Sequence, residues 1–252
     1  MPNPTSTLGA YRRGRGYLGG PAGLVGPAAW AQTRYWPSND TRRPPRATLA
    51  ILPGRGERAE PYERLAYRLS LDGYSVTYFE AGSAAANTDN PAALGEIRVP
   101  GVPHILLGSD AGALRALSAA GSPAVRPDAV VLLGLPLLHL AVAGEPLDTY
   151  PPRSLPDLPI LLIHGADDPV SPLPLIRMTT RTAPRSRLDV VPGGHQVLDG
   201  PGGWTVPARV LLFVDSVRDG ASVRDGASAR DGASVRDGAS VRDGTAAAAA
   251  VR

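Results

Sequence analysis

The chain has 252 residues, enough for one sizeable core plus tails, with 26 Lys and Arg against 23 Asp and Glu and a formal net charge of +3. So mild an excess does not describe a dedicated polyanion binder, and nucleic acid is not an expected partner. The absence of cysteine excludes disulfides, thiolate metal ligation and a cysteine nucleophile.

Residues 1–45 are rich in Gly, Pro and Arg and carry no sustained helical or strand period, which predicts an irregular segment. Its Arg-Gly pieces read as a solvated tail, with RNA or an acidic membrane surface as the alternative partner. Trp30, Tyr35 and Trp36 stand apart, because aromatics of that size find a surface to cover, as a first edge strand or packed on the domain. Arg12, Arg13 and Arg15 precede no compact apolar stretch of the kind a secretory signal needs. No window approaches the roughly 18 consecutive apolar residues of a membrane-spanning helix. A soluble, cytoplasmic protein is the expectation.

From residue 46 the pattern changes to short aliphatic runs alternating with amphipathic ones. Ala47–Leu52 reads as a strand bounded by Pro53-Gly54, and Tyr62, Leu65, Ala66 and Leu69 fall at helical spacing within 61–71. Asp72-Gly73 stops that helix, and Tyr74–Phe79 reads as the next strand. Further strands are expected at 104–107, 129–133, 159–164 and 187–191, with helices at 111–120, 172–182 and 206–214. Near-continuous hydrophobic strands alternating with helices predict an α/β fold, a mostly parallel sheet covered on both faces. One domain over 46–215 follows. From Ser216 the hexapeptide Ser-Val-Arg-Asp-Gly-Ala recurs five times, with Ala229 and Thr245 as exceptions. Each unit offers too little apolar area to offset the entropy of ordering it, so a disordered tail is expected over 216–252; a β-solenoid built on the six-residue period is the less favoured alternative.

In a parallel sheet the chemistry collects just after the carboxyl ends of the strands. The strand at 104–107 is followed by Gly108-Ser109-Asp110-Ala111-Gly112 and a helix, the context of a nucleophile elbow with Asp110 at its centre. The strand at 159–163 leads to His164-Gly165-Ala166-Asp167-Asp168, and the strand at 187–191 to Pro192-Gly193-Gly194-His195. Here the sequence resembles the α/β-hydrolase superfamily, with the order nucleophile, acid, histidine. The stretch from Leu52 to Ala66, Leu-Pro-Gly-Arg-Gly-Glu-Arg-Ala-Glu-Pro-Tyr-Glu-Arg-Leu-Ala, looks like the opening of lysophospholipase and monoacylglycerol-lipase relatives. The resemblance covers about residues 46–214. It implies a catalytic set of Asp110, Asp168 and His195, with the backbone N–H groups of Arg55 and Ala111 as an oxyanion hole.

Two positions depart from that pattern: Asp110 stands where most relatives have serine, and Pro53 where a histidine usually precedes the first-loop glycine. Aspartate nucleophiles occur in the haloalkane dehalogenases and epoxide hydrolases of the superfamily, where the carboxylate opens an alkyl electrophile and histidine-activated water cleaves the ester. The halide-binding tryptophan of the former is replaced by Ala111, and of the cap tyrosines of the latter only Tyr150 has a counterpart. The resemblance therefore implies a hydrolase of a small or amphiphilic organic molecule needing no metal and no cofactor. The alternative is a catalytically inactive relative acting as a binding or scaffold protein. Ser109 as nucleophile and Asp167 as acid remain open at this stage. His104 and His139 read as ordinary core or loop histidines and His164 as a support of the acid turn. The Pro-rich connection over 134–158 is too short for a helical cap, which predicts an open site.

Overall fold

The computed structural model describes residues 33–80 and 91–220. The Arg-Gly pieces before Thr33, Trp30 and the repeat beyond residue 220 lie outside them.

Seven strands make one sheet: β1 Thr33–Trp36, β2 Thr48–Leu52, β3 Ser75–Phe79, β4 His104–Ser109, β5 Ala129–Leu133, β6 Ile160–Gly165 and β7 Ser186–Val191. Their order is β1-β3-β2-β4-β5-β6-β7. β1 pairs antiparallel with β3 and every other pair is parallel. The segment expected to be irregular up to residue 45 therefore contains an edge strand, the one that Tyr35 and Trp36 announced. The helices are α1 Ala59–Leu71, α2 Ala92–Glu96, α3 Ala111–Ala120, α4 Leu173–Arg181 and α5 over residues 206–220, with a 3₁₀ turn at Gly203–Thr205. None of them is long and apolar enough to cross a membrane.

The two-residue period of the strands sorts their side chains onto two faces. Leu49, Ile51, Ile105, Leu107, Val131, Leu133, Leu161 and Ile163 point to one side and pack under Tyr62, Leu65 and Leu69 of α1 and Val210, Phe213 and Val214 of α5. Leu52, Leu106, Val130, Leu132 and Leu162 point to the other, under Leu114 and Leu117 of α3 and Ile176 of α4. Full burial of each large aliphatic contributes about 1.5–3 kcal/mol, so the sheet is the rigid base on which the site stands.

α5 runs past the expected domain boundary at residue 215. Val217, in the first repeat unit, follows Phe213 and Val214 at helical spacing and is partly buried against the same cluster. Asp215 is held by Arg46 at 2.6 Å and by the Tyr74 hydroxyl, which ties the helix to the start of β2 and β3. At the other margin of the sheet, Asp189 on β7 is only 8% exposed and is gripped by Arg187 (2.9 and 3.1 Å) and by Arg209 of α5 (3.0 Å).

The strand order reverses at β2, with β3 on one side and β4 on the other. Such a reversal opens a crevice at the carboxyl ends of β2 and β4, where α/β sheets place their ligands. The loops leaving these two strands carry Arg55 and Asp110.

Candidate active site

β4 ends in a turn so sharp that Asp110 adopts φ 46 and ψ −120, a conformation side chains rarely occupy. Holding it costs about 1–3 kcal/mol, which the surrounding sheet and α3 supply. The flanking glycines are required by close approach: a Cβ on Gly108 would lie 2.2 Å from the Gly112 carbonyl oxygen, and one on Gly112 would lie 2.2 Å from that of Leu52. Gly112→Ala is accordingly expected to lower stability by about 1–3 kcal/mol, as overpacking against rigid backbone does. An unchanged melting temperature would show that the elbow has slack.

The candidate acid comes from the turn after β6. Asp168 Oδ1 accepts hydrogen bonds from the backbone N–H groups of Val170 (2.8 Å) and Ser171 (3.1 Å), which aims Oδ2 at His195 Nδ1, 2.8 Å away. Asp167 is exposed, and its N–H donates to the Gly193 carbonyl, stitching the acid turn to the histidine loop. Of the two aspartates, it is Asp168 whose carboxylate lies within hydrogen-bonding distance of His195. His164 Nε2 lies 2.7 Å from the Ser171 carbonyl and 3.4 Å from Asp168 Oδ2, the supporting position expected of it. His104 is a core histidine beside Thr48, its pKa pushed down to about 4 chiefly by burial; His139 is exposed and its ring meets that of Tyr150 at a tilt.

His195 closes the set: its Nε2 is 3.0 Å from Asp110 Oδ1. Asp110, Asp168 and His195 therefore meet in one hydrogen-bonded line. Ser109, the alternative nucleophile, turns its hydroxyl to Glu57 Oε1 at 2.8 Å, not to His195. Glu57 also accepts from the Gly54 N–H (2.6 Å) and from the Tyr62 hydroxyl, contacts that shape the Gly54-Arg55 loop, while burial pushes its carboxyl above the usual range.

Arg55 contributes more than the backbone N–H assigned to it from sequence. That N–H does reach Asp110 Oδ2 at 3.0 Å, and the Ala111 N–H also favours the Asp110 carboxylate. The Arg55 side chain, in addition, forks onto the same carboxylate, Nε to Oδ2 and Nη2 to Oδ1, both at 2.7 Å. Its Nη1 donates to the carbonyls of Leu140 (2.9 Å) and Glu145 (3.1 Å) in the β5–β6 connection, where Val142 and Glu145 form a small antiparallel bridge. That connection has no helix, as expected, yet the site is not open. Asp110 is 1% exposed, because a guanidinium anchored to the loop above fills the mouth.

The electrostatics follow from these contacts. Burial opposes ionisation of Asp110, but hydrogen bonds from Arg55, His195 and the two backbone N–H groups outweigh it and hold the carboxyl well below the usual range. Burial would likewise lower His195, yet its two carboxylate partners push it up to about 9, so the resting ring is an imidazolium. Asp168 stays ionised because His195 and the Ser171 N–H overcome its desolvation.

No protein-family model matches this chain, and no curated protein matches it by sequence. Solved structures do resemble it. A monoglyceride lipase from Saccharomyces cerevisiae aligns over 73% of this chain and 91% of its own at 16% identity and a TM-score of 0.58. A monoacylglycerol lipase from Paleococcus ferrophilus aligns over 73% and 98% at 13% identity and 0.57, and an esterase domain from Rhodothermus marinus over 74% and 92% at 17% and 0.57. Identities this low speak to architecture alone. With the strand order and the elbow described above, they establish the α/β-hydrolase fold. Within that fold the chain departs from a serine-type site by carrying a buried Arg-Asp pair at the elbow.

Proposed function

We propose that this chain is a hydrolase of small organic electrophiles in which Asp110 is the nucleophile, His195 the base and Asp168 the residue that orients it. The observation that carries this reading is the division of labour between the two Asp110 oxygens: Oδ1 faces His195 Nε2, while Oδ2 sits on the backbone N–H of Arg55. Oδ1 attacks carbon and the leaving group departs, giving an ester on Asp110. Water then attacks the Asp110 carbonyl carbon as His195 takes its proton, and the oxyanion develops on Oδ2, already among backbone donors. Both half-reactions run on these side chains and water.

The covalent step also prepares the base. Once Asp110 is a neutral ester, one of the two anions that raise His195 is gone, and the imidazolium releases its proton more readily.

One observation favours a second reading, a catalytically silent binding protein: Arg55 occupies both Asp110 oxygens at 2.7 Å, and a nucleophile so gripped cannot react until the guanidinium shifts. The His195→Ala variant separates the two. Incubated with a panel of esters, epoxides and alkyl halides, it is expected to form the ester and fail to hydrolyse it, so that intact-mass and peptide analysis find an adduct on the peptide holding Asp110. No label on that peptide in either the wild type or the variant would favour the silent protein, and label on Ser109 would remove Asp110 from the role.

A further inference from the structure

We propose that Arg55 selects the substrate, so that the electrophile attacked by Asp110 carries a carboxylate on the carbon next to the reacting one and seats it on the Arg55 guanidinium. This rests on Asp110 being the nucleophile and adds what it acts on.

The argument is one of charge. Arg55 and Asp110 are 4% and 1% exposed at their side chains and form a two-pronged pair. When Asp110 becomes an ester its charge is gone and its oxygens become weak acceptors. Arg55 would then be a buried cation whose Nε and Nη2 have lost their anion, with only the Leu140 and Glu145 carbonyls on Nη1. An unpaired buried charge is costly enough to oppose the step that creates it. Glu57 does not relieve it, being engaged by Gly54, Tyr62 and Ser109. Glu145 and Asp148 attract the guanidinium from a distance, but their side chains are in solvent and screened. A carboxylate on the substrate replaces the lost charge in the same step.

The geometry sets where that carboxylate sits. Nη2 and Oδ1 are 2.7 Å apart, and a carbon in position for attack lies about 3–3.5 Å from Oδ1. A carboxylate reaching Nη2 from there hangs on the adjacent carbon. It displaces Oδ1 from Nη2 and so frees the attacking oxygen, while Oδ2 keeps Nε and the Arg55 N–H. The planar fork of a guanidinium suits this exchange of one carboxylate for another. For a 2-halocarboxylate the balance is complete: the Asp110 O–C bond forms, the C–X bond breaks and halide leaves with the electron pair. Water adds to the Asp110 carbonyl carbon and gives its proton to His195. The bond from the Asp110 carbonyl carbon to the alkyl oxygen then breaks, and the alkoxide takes a proton from His195. The products are a 2-hydroxycarboxylate, halide and one proton released to solvent.

The test uses bromoacetate and bromoacetamide, near-equal in shape and different in charge, on the full-length His195→Ala chain, with each labelling rate normalised to that probe's reaction with free acetate. Bromoacetate is expected to label the Asp110 peptide at least ten-fold faster. Arg55→Met should abolish that preference and Arg55→Lys retain part of it. Asp110 labelling by bromoacetamide at an equal or greater normalised rate would overturn the selection by Arg55 and leave Asp110 as nucleophile. Failure of both probes, and of the whole electrophile panel, to label Asp110 would overturn both readings.

Discussion

Replacing Arg55 by methionine is expected to cost about 3–5 kcal/mol of folding stability, the range for removing one partner of a buried ion pair. The loss comes from the stranded Asp110 carboxylate, which keeps His195 and backbone N–H groups but loses two 2.7 Å hydrogen bonds from the guanidinium. Asp110→Gly strands the cation instead, with a smaller cost, because glycine relieves the strain at φ 46. The double variant removes both charges and is expected to recover most of what the singles lose, giving a coupling energy above about 2 kcal/mol in a double-mutant cycle. Urea unfolding of the four proteins measures it. Additive losses would mean that the two side chains are held independently and that the pair does not organise the site.

The second large effect concerns pH and the base. In the proposed aspartyl mechanism adduct formation needs only the Asp110 carboxylate, ionised well below neutral, so its rate should be flat from about pH 5 to 8. Hydrolysis of the adduct needs His195 neutral, and its rate should rise with pH to a midpoint below the value of about 9 that holds while Asp110 is free. Asp168→Asn removes the anion that orients and stabilises the imidazolium. It should slow hydrolysis on the order of 10²- to 10⁴-fold while changing adduct formation only a few-fold. Stability has the corresponding signs. His195, raised from 6.5 to about 9, contributes fully below 6.5, and that contribution is lost as pH rises through 9. Asp110, depressed from 3.8, contributes fully above 3.8 and loses its share as pH falls further. A hydrolysis rate independent of pH from 5 to 9 would remove His195 from the role of base.

Much of this architecture is legible in the chain because its signals are local. Gly108 and Gly112 around Asp110 mark a turn that tolerates no other spacing, and the short turns after β6 and β7 deliver Asp168 and His195 to one end of the sheet. α2 was missed because it spans only Ala92–Glu96, with Pro91 before it and Gly95 inside, too short to show a period. The end of α5 was set too early because the repeat composition hides that Val217 continues the stripe begun by Val210 and Phe213. The Arg55 side chain is the instructive omission. Its backbone N–H follows from loop position, but its direction depends on a partner 55 residues away. The available signal was chemical: an aspartate buried where relatives carry a neutral serine needs a counter-charge, and an arginine stands between the two glycines of the facing loop. The open site was inferred from loop length, which speaks to lids and is silent about a side chain that fills the mouth.

Among the described residues β7 is the last strand of the sheet, and a sheet edge is a template on which a second chain can add its own strand. Asp189 sits in the middle of β7, turned inward and bound by Arg187 from the strand and Arg209 from α5. A strand docking there would have to cover Arg187, whose side chain is 59% exposed, or pull it from its carboxylate. Inward-turned charge of this kind is one of the devices by which sheet edges discourage the addition of a further strand.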